Sequence, residues 1–190
     1  MKIIGVGGQP GTGKSQIMKS VLEQIGKGYE FKYKLLRGYK YLDFNPRLLI
    51  LGIYEEGVLF CGTDRLSMVA IKSLKEFVKY CVDENVFLDY TILFEGDRFF
   101  KQEMFRYLES YNIDYSLYVL EVEEEILTKR REDRGLSNQT EKFLKGRKTM
   151  YENIKTILPH KTTILTNNTL DESQKNIKTI LDSLGIEQLN

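Results

Sequence analysis

Gly8, Gly13, Lys14 and Ser15 stand at the spacing Gly-x-x-x-x-Gly-Lys-Ser inside the stretch VGGQPGTGKSQ. Glycines let successive backbone N–H groups curl around an anion, and a helix that follows adds its positive end. In that chemistry Gly8, Gly11, Thr12 and Gly13 cradle nucleotide phosphates, Lys14 reaches the β- and γ-phosphates, and Ser15 ligates Mg²⁺. ATP and Mg²⁺ are therefore the expected cofactors. The loop tells where phosphate sits and not what becomes of it. It could be held to drive a motion, hydrolysed as a timer, or passed to another molecule.

Three other stretches carry residues that could decide this. Glu95-Gly96-Asp97-Arg98 closes the apolar run YTILF. A carboxylate at such a strand end holds the metal of a phosphate loop, directly or through water. Glu95 and Asp97 both suit, and Asp97 is assigned with Ser15 as the metal site; the alternative is that Asp97 caps the next helix. Gly62-Thr63-Asp64-Arg65-Leu66-Ser67 offers a carboxylate to take a proton from an acceptor hydroxyl, Asp64, and a guanidinium to orient that acceptor, Arg65. Its bland reading is a helix cap. Residues 129–148 are rich in Lys and Arg, and Arg130 and Arg134 precede the hinge-like Gly135. Arginines that close over a transferring phosphate supply positive charge where the transition state needs it. An exposed, ion-paired helical hairpin would look similar.

The elements that must hold these residues follow from periodicity. KIIGVG is a short apolar strand ahead of the glycine loop, and Ile17, Met18, Val21, Leu22 and Ile25 form a helical stripe over 14–25, ended by Gly26 and Gly28. Strand, loop, helix is the context a phosphate loop requires. Residues 31–60 are aromatic and branched, with turn signals at Asn45-Pro46 and Glu55-Glu56-Gly57, and predict two or three strands with a hairpin. Helices are predicted over 68–82, 99–111, 123–133, 139–158 and 171–184, and strands over 90–94, 114–122 and 161–166. Alternation of this kind means a parallel sheet with helices on both faces and ligands at the carboxyl ends of its strands. Within 31–41, FKYKLLRGYKY, Lys32, Lys34, Arg37 and Lys40 alternate with aromatic rings. That mixture suits a nucleic-acid strand, by phosphate contact and base stacking, and equally an amphipathic hairpin on the core's edge.

Composition sets the outer limits. The 190 residues are 42% apolar and 29% charged, which fits one compact domain over 1–190 with a small insert or lid. A formal net charge of +1 and a pI near 7.6 mean that any basic surface is local. Cys61 and Cys81 are too few for a disulfide scaffold, no run is long enough to span a bilayer, and the N-terminus does not read as a targeting segment. A cytoplasmic setting is expected. The cysteines and His160 lack metal-ligand spacing.

The order of the pieces resembles the nucleoside-monophosphate-kinase-like group of phosphate-loop kinases. YTILFEGDRF is similar to that group's strand ending before a helix, LYVLEVEEEILTKRREDRG to its next strand and lid arginines, and KTTILTNNTLDES to its last strand and the turn bordering the adenine. The resemblance implies a three-layer α/β fold with a central, mainly parallel five-stranded sheet, a strand-containing acceptor insert over about 31–85 and a helical lid over about 129–148. It also implies that Asn167 lies against the nucleotide. The insert is strand-rich at first, unlike the all-helical insert of adenylate kinase. More narrowly, GTDRLSM with the YEEG turn and FEGDR is similar to small phage-encoded kinase-like proteins, some of which phosphorylate 5-hydroxymethyluracil within DNA. That similarity implies transfer to a hydroxymethyl oxygen with the base drawn out of the duplex.

The leading expectation is thus an ATP-dependent kinase. Lys14, Asp64, Arg65, Arg130 and Arg134 carry the chemistry, and Arg37, Asp64, Arg65 and Arg98 face the acceptor, most readily a hydroxymethylpyrimidine in DNA. The near-neutral charge favours a small acceptor instead, a nucleoside or nucleotide. An ATPase switch without acceptor is the remaining class. A guanine-reading Asn-Lys-x-Asp is absent, since Asn167-Asn168-Thr169-Leu170-Asp171 lacks the lysine.

Overall fold

A computed structural model describes residues 1–55, 61–133 and 140–186. The first strand, β1 (Lys2–Gly8), is buried along nearly its whole length, as a strand covered on both faces must be. The glycine loop leads into α1 (Lys14–Ile25), which turns Ile17, Met18 and Val21 inward, the face its periodicity predicts. Then come β2 (Tyr29–Tyr33), β3 (Leu36–Tyr41), β4 (Arg47–Leu51), α2 (Ala70–Asp83) and β5 (Tyr90–Glu95). The chain continues through α3 (Gln102–Ser110), β6 (Asp114–Glu121), α4 (Glu124–Asp133), α5 (Glu141–Ile157), β7 (Thr162–Thr166) and α6 (Leu170–Ser183).

The strands form one sheet in the order β2-β3-β4-β5-β1-β6-β7. Five of them, β4-β5-β1-β6-β7, are mutually parallel, the five-stranded core expected. The strands of the insert do not build a layer of their own. The β2–β3 hairpin pairs antiparallel with the edge of β4, so the sheet has seven strands. The turn signal at Glu55-Glu56-Gly57 falls largely outside the described residues.

Two apolar layers cover the sheet. In β4, Leu49 and Leu51 face the helices α2, α3 and α5, while Leu48 and Ile50 face α1 and α6. The alternation is the two-residue period of a strand buried on both sides. β1 and β5 are neighbours, yet the helices after them leave to opposite faces, α1 to one and α3 to the other. Their carboxyl ends therefore part, and a crevice opens there, the usual ligand position in such sheets.

The hairpin uses its rings for the core. Phe31 and Tyr33 pack on Phe77 of α2, with ring centroids 5.4 and 5.1 Å apart. Tyr41 is buried on the other face, with Tyr39 packed beside it. Lys34 pairs with Glu76 at 2.9 Å. The aromatic-basic segment is thus an amphipathic sheet edge, its rings packed in or against the core. Among the described residues no helix is long and apolar enough to cross a membrane.

Candidate functional site

The glycine loop is held from three directions. Gly13 has φ 95°, and a Cβ there would lie 2.6 Å from the Asn167 amide nitrogen. Only glycine meets both conditions. That amide, at the end of β7, donates to the Thr12 carbonyl at 2.7 Å, and its own oxygen accepts from Asn176 at 3.2 Å. From α4, Arg131 donates to the Pro10 carbonyl at 3.0 Å and to the Gln9 side chain at 3.2 Å, while Leu127 packs against Gly11. Burial lowers the Arg131 pKa, opposed by Glu124 at 3.6 Å. Within the loop, Thr12 Oγ1 donates to Gln9 O at 2.8 Å. The Lys14 ammonium lies over the loop, donating to Gly8 O at 2.6 Å and Gln9 O at 3.2 Å.

Across the crevice three carboxylates gather at the end of β5. Ser15 Oγ donates to Glu95 Oε1 at 3.3 Å. The carboxylate beside Ser15 is therefore Glu95 and not Asp97, the metal-site residue expected from the sequence. The reason is register: Glu95 pairs with Val6 of β1, so it stands next to the loop, whereas Asp97 lies beyond the strand. Glu95 is 1% exposed, and burial pushes its carboxyl up to about 8, against the pull of Lys14 and the Ser15 hydroxyl. Asp97 is engaged by α5 instead, with Arg147 Nε at 3.1 Å and the Tyr151 hydroxyl donating to its other oxygen. In the sequence Arg147 is one of the many cations of 129–148. Neither it nor Tyr151 carried a local signal for this contact.

The third carboxylate is Asp64. Gly62 sends the chain into a short 3₁₀ turn, Thr63–Arg65, and Thr63 Oγ1 anchors it by donating to Glu95 O at 2.6 Å. The Asp64 carboxylate then lies against Gly96: a Cβ there would stand 3.2 Å from Oδ1. Solvent reaches Asp64, yet the surrounding protein disfavours its charge and raises its pKa. Asp97 adds to the rise, while Lys14, Arg98 and Arg147 oppose it. Arg98 donates to the Asp64 carbonyl at 2.9 Å and touches the Met68 sulfur; its Nε is buried without a hydrogen-bond partner among the described residues. No carboxylate pairs with Arg98 among the described residues. Arg65 is paired with Glu55.

Other expected residues are placed differently. Arg130 donates to the carbonyls of Asn167 and Asn168 at 2.9 and 3.0 Å, so α4 is tied to the β7–α6 turn. Asn167 spends its amide on the loop and on Asn176. Arg37 donates to Lys34 O and Leu36 O, both at 2.7 Å, inside its own hairpin. Arg134 and the hinge at Gly135 lie outside the described residues. Between the loop, the end of β6 and α5 is a polar cavity of about 320 Å³, with Gln9, Thr12, Glu121, Lys148 and Tyr151 in its walls.

The donor set suits a small hard cation. Among the described residues no three His, Cys, Asp or Glu side chains form a metal cluster. Ser15 Oγ and the buried Glu95 carboxylate supply oxygen only, and few protein ligands is what Mg²⁺ takes when phosphates and water complete its shell.

No family model and no curated protein matches the chain. Solved structures do. A sugar kinase from Janibacter sp. HTCC2649 superposes with a TM-score of 0.53 at 16% identity, over 98% of this chain and 95% of that one. The α/β fold is shared with that kinase. Weaker likenesses are a gluconokinase from Sinorhizobium meliloti 1021 (TM-score 0.48, 12% identity, 97% and 95% covered) and a shikimate kinase from Bacteroides thetaiotaomicron (0.45, 11%, 97% and 98%).

Proposed function

We propose that the protein is an ATP-dependent kinase acting on the hydroxyl of a small molecule. The observation that carries this is the convergence, between β1 and β5, of the glycine loop with Lys14 and Ser15, the Glu95 carboxylate, and Asp64 against Gly96. Asp64 stands across the crevice from Ser15 and Glu95, where an acceptor hydroxyl could meet it, with Arg98 and Arg147 nearby.

In this reading the loop N–H groups and Lys14 hold the ATP phosphates, Lys14 leaving the carbonyls of Gly8 and Gln9 for phosphate oxygens. Ser15 and Glu95 would hold Mg²⁺, which offsets the negative charge of the phosphates when bound. Asp64 accepts the proton of the acceptor hydroxyl. That oxygen forms a bond to the γ-phosphorus as the bond to the ADP oxygen breaks. The protein's contribution is position and charge rather than covalent chemistry. Arg147 approaches the acceptor side from α5, and Arg98, with no carboxylate partner among the described residues, takes a polar oxygen of the acceptor. Arg65 orients it, as the sequence suggests, after exchanging Glu55.

A small acceptor is favoured over a DNA base because Phe31 and Tyr41 are buried in the core, with Tyr33 and Tyr39 packed against it. The Janibacter structure is named a sugar kinase, which agrees in class. The test is label transfer from γ-labelled ATP to a panel of sugars, hydroxy acids, nucleosides, nucleotides, and plain and hydroxymethylated DNA. Transfer to one small-molecule class is the expected result. Transfer to DNA restores the nucleic-acid acceptor, and release of label to water alone overturns the kinase reading.

A further inference from the structure

Tyr54 follows β4 by three residues and has no part in the chemistry above. Its hydroxyl is buried and lacks a hydrogen-bond partner among the described residues. Buried hydroxyls without partners destabilise a fold, so one beside a reaction site requires an explanation.

The local packing supplies one. Backbone bonds of 3.1 and 2.9 Å between Ile53 and Gly62 hold the segment after β4 against the segment before Asp64. A Cβ on Gly52 would lie 2.9 Å from Tyr54 Cε2 and 2.7 Å from the carbonyl carbon of Gly62. A Cβ on Gly62 would lie 2.2 Å from Glu95 Oε1. The phenol ring and the Glu95 carboxylate therefore rest on adjoining glycines, each on a surface that any side chain would occupy. Glu95 is almost wholly buried and has Ser15 as its side-chain donor. A carboxylate in such surroundings needs further donors to hold its charge and its aim.

We propose that Tyr54 is the positioning residue for Glu95: its hydroxyl donates to one carboxylate oxygen in the cation-bound protein and so aims the other at the cation beside Ser15. This deepens the proposed function and rests on the cation site of that reading. Tyr54 touches neither substrate nor cation. It acts through Glu95, as partners behind metal ligands do.

The experiment is thermal unfolding of the full chain at fixed ATP over a Mg²⁺ titration, for the parent protein, Tyr54→Phe, Glu95→Gln and the double variant. Tyr54→Phe keeps the ring on Gly52 and removes only the oxygen. Without ligands it is expected to melt no lower than the parent, because the lost hydroxyl had no partner. Its Mg²⁺ midpoint is expected to rise about tenfold. Added to Glu95→Gln, it should leave the residual midpoint unchanged, since the two side chains act as one unit. An unchanged midpoint in Tyr54→Phe overturns the role, as does an equal shift in the Glu95→Gln background. So does a variant that melts far below the parent or fails to fold, which would make the hydroxyl part of the fold. A parent protein whose melting ignores Mg²⁺ at saturating ATP removes the cation site itself. That outcome is distinct from a responsive parent with an indifferent variant, which removes Tyr54 alone.

Discussion

Lys14 and Asp64 approach the crevice between β1 and β5 from two different loops, and their removal has different consequences. Lys14→Ala is expected to stay folded, since its ammonium bonds only loop carbonyls. The parent should gain about 2.7 kcal/mol of stability at ATP concentrations near a hundred times Kd. Lys14→Ala should lose most of that gain, read as the nucleotide-induced shift in Tm. Asp64→Asn should keep the nucleotide shift and lower turnover by about 10²–10⁴-fold, the usual share of a general base. The pH dependence has a definite sign. Asp64 works as a base only when ionised, and its pKa is raised from 3.8 by the desolvating protein around it and by Asp97. Activity should therefore fall as pH drops, with the acid limb lying above the ordinary aspartate range. An acid limb at or below that range argues against Asp64 as the base.

At the level of elements, the glycine loop depends on pieces that follow it by more than a hundred residues. Asn167 and Arg131 clamp it through carbonyls of Thr12 and Pro10. Asn167→Ala leaves the buried Thr12 carbonyl without that donor and should cost about 1–3 kcal/mol, measured by urea denaturation. Gly13→Ala forces a left-handed conformation on a side-chain-bearing residue, about 1–2 kcal/mol, besides meeting the Asn167 amide. The same turn starts α6 with a reciprocal cap: Thr169 accepts from the Glu172 N–H at 3.2 Å, and Glu172 accepts from the Thr169 N–H at 3.1 Å. Thr169→Ala should therefore lower stability by about 1 kcal/mol. The backbone N–H groups of Thr169 and Asn168 hold the Glu172 carboxyl below its ordinary 4.5. Its contribution is full above that value and is lost as pH falls through the lower folded one.

For the molecule as a whole, charge and packing agree on the class of partner. The net charge is +1, the basic hairpin is partly neutralised by Glu76, and its rings serve the core. Binding to plain duplex DNA should thus be weak at physiological salt. Replacing Lys32, Lys34 and Lys40 together by Ala should leave the salt dependence of any residual binding unchanged, whereas a phosphate-tracking surface would lose slope with each cation removed.

Much of this was legible in the residues themselves. The loop spacing, the stripe of α1 and the alternation of strands and helices are local patterns, and local periodicity decides local backbone form. They predict the parallel sheet and the position of the glycine loop at its carboxyl edge. What could not be read was partnership. Glu95 and Asp97 look equivalent in FEGDR, and only the pairing of β5 with β1 sets Glu95 beside Ser15 and leaves Asp97 to Arg147 and Tyr151. The arginines of α4 look like a lid, and the fold gives two of them backbone carbonyls to hold. Residue type and spacing decided which chemistry was available. Sheet register and helix docking, which join segments far apart in the chain, decided which side chain meets which.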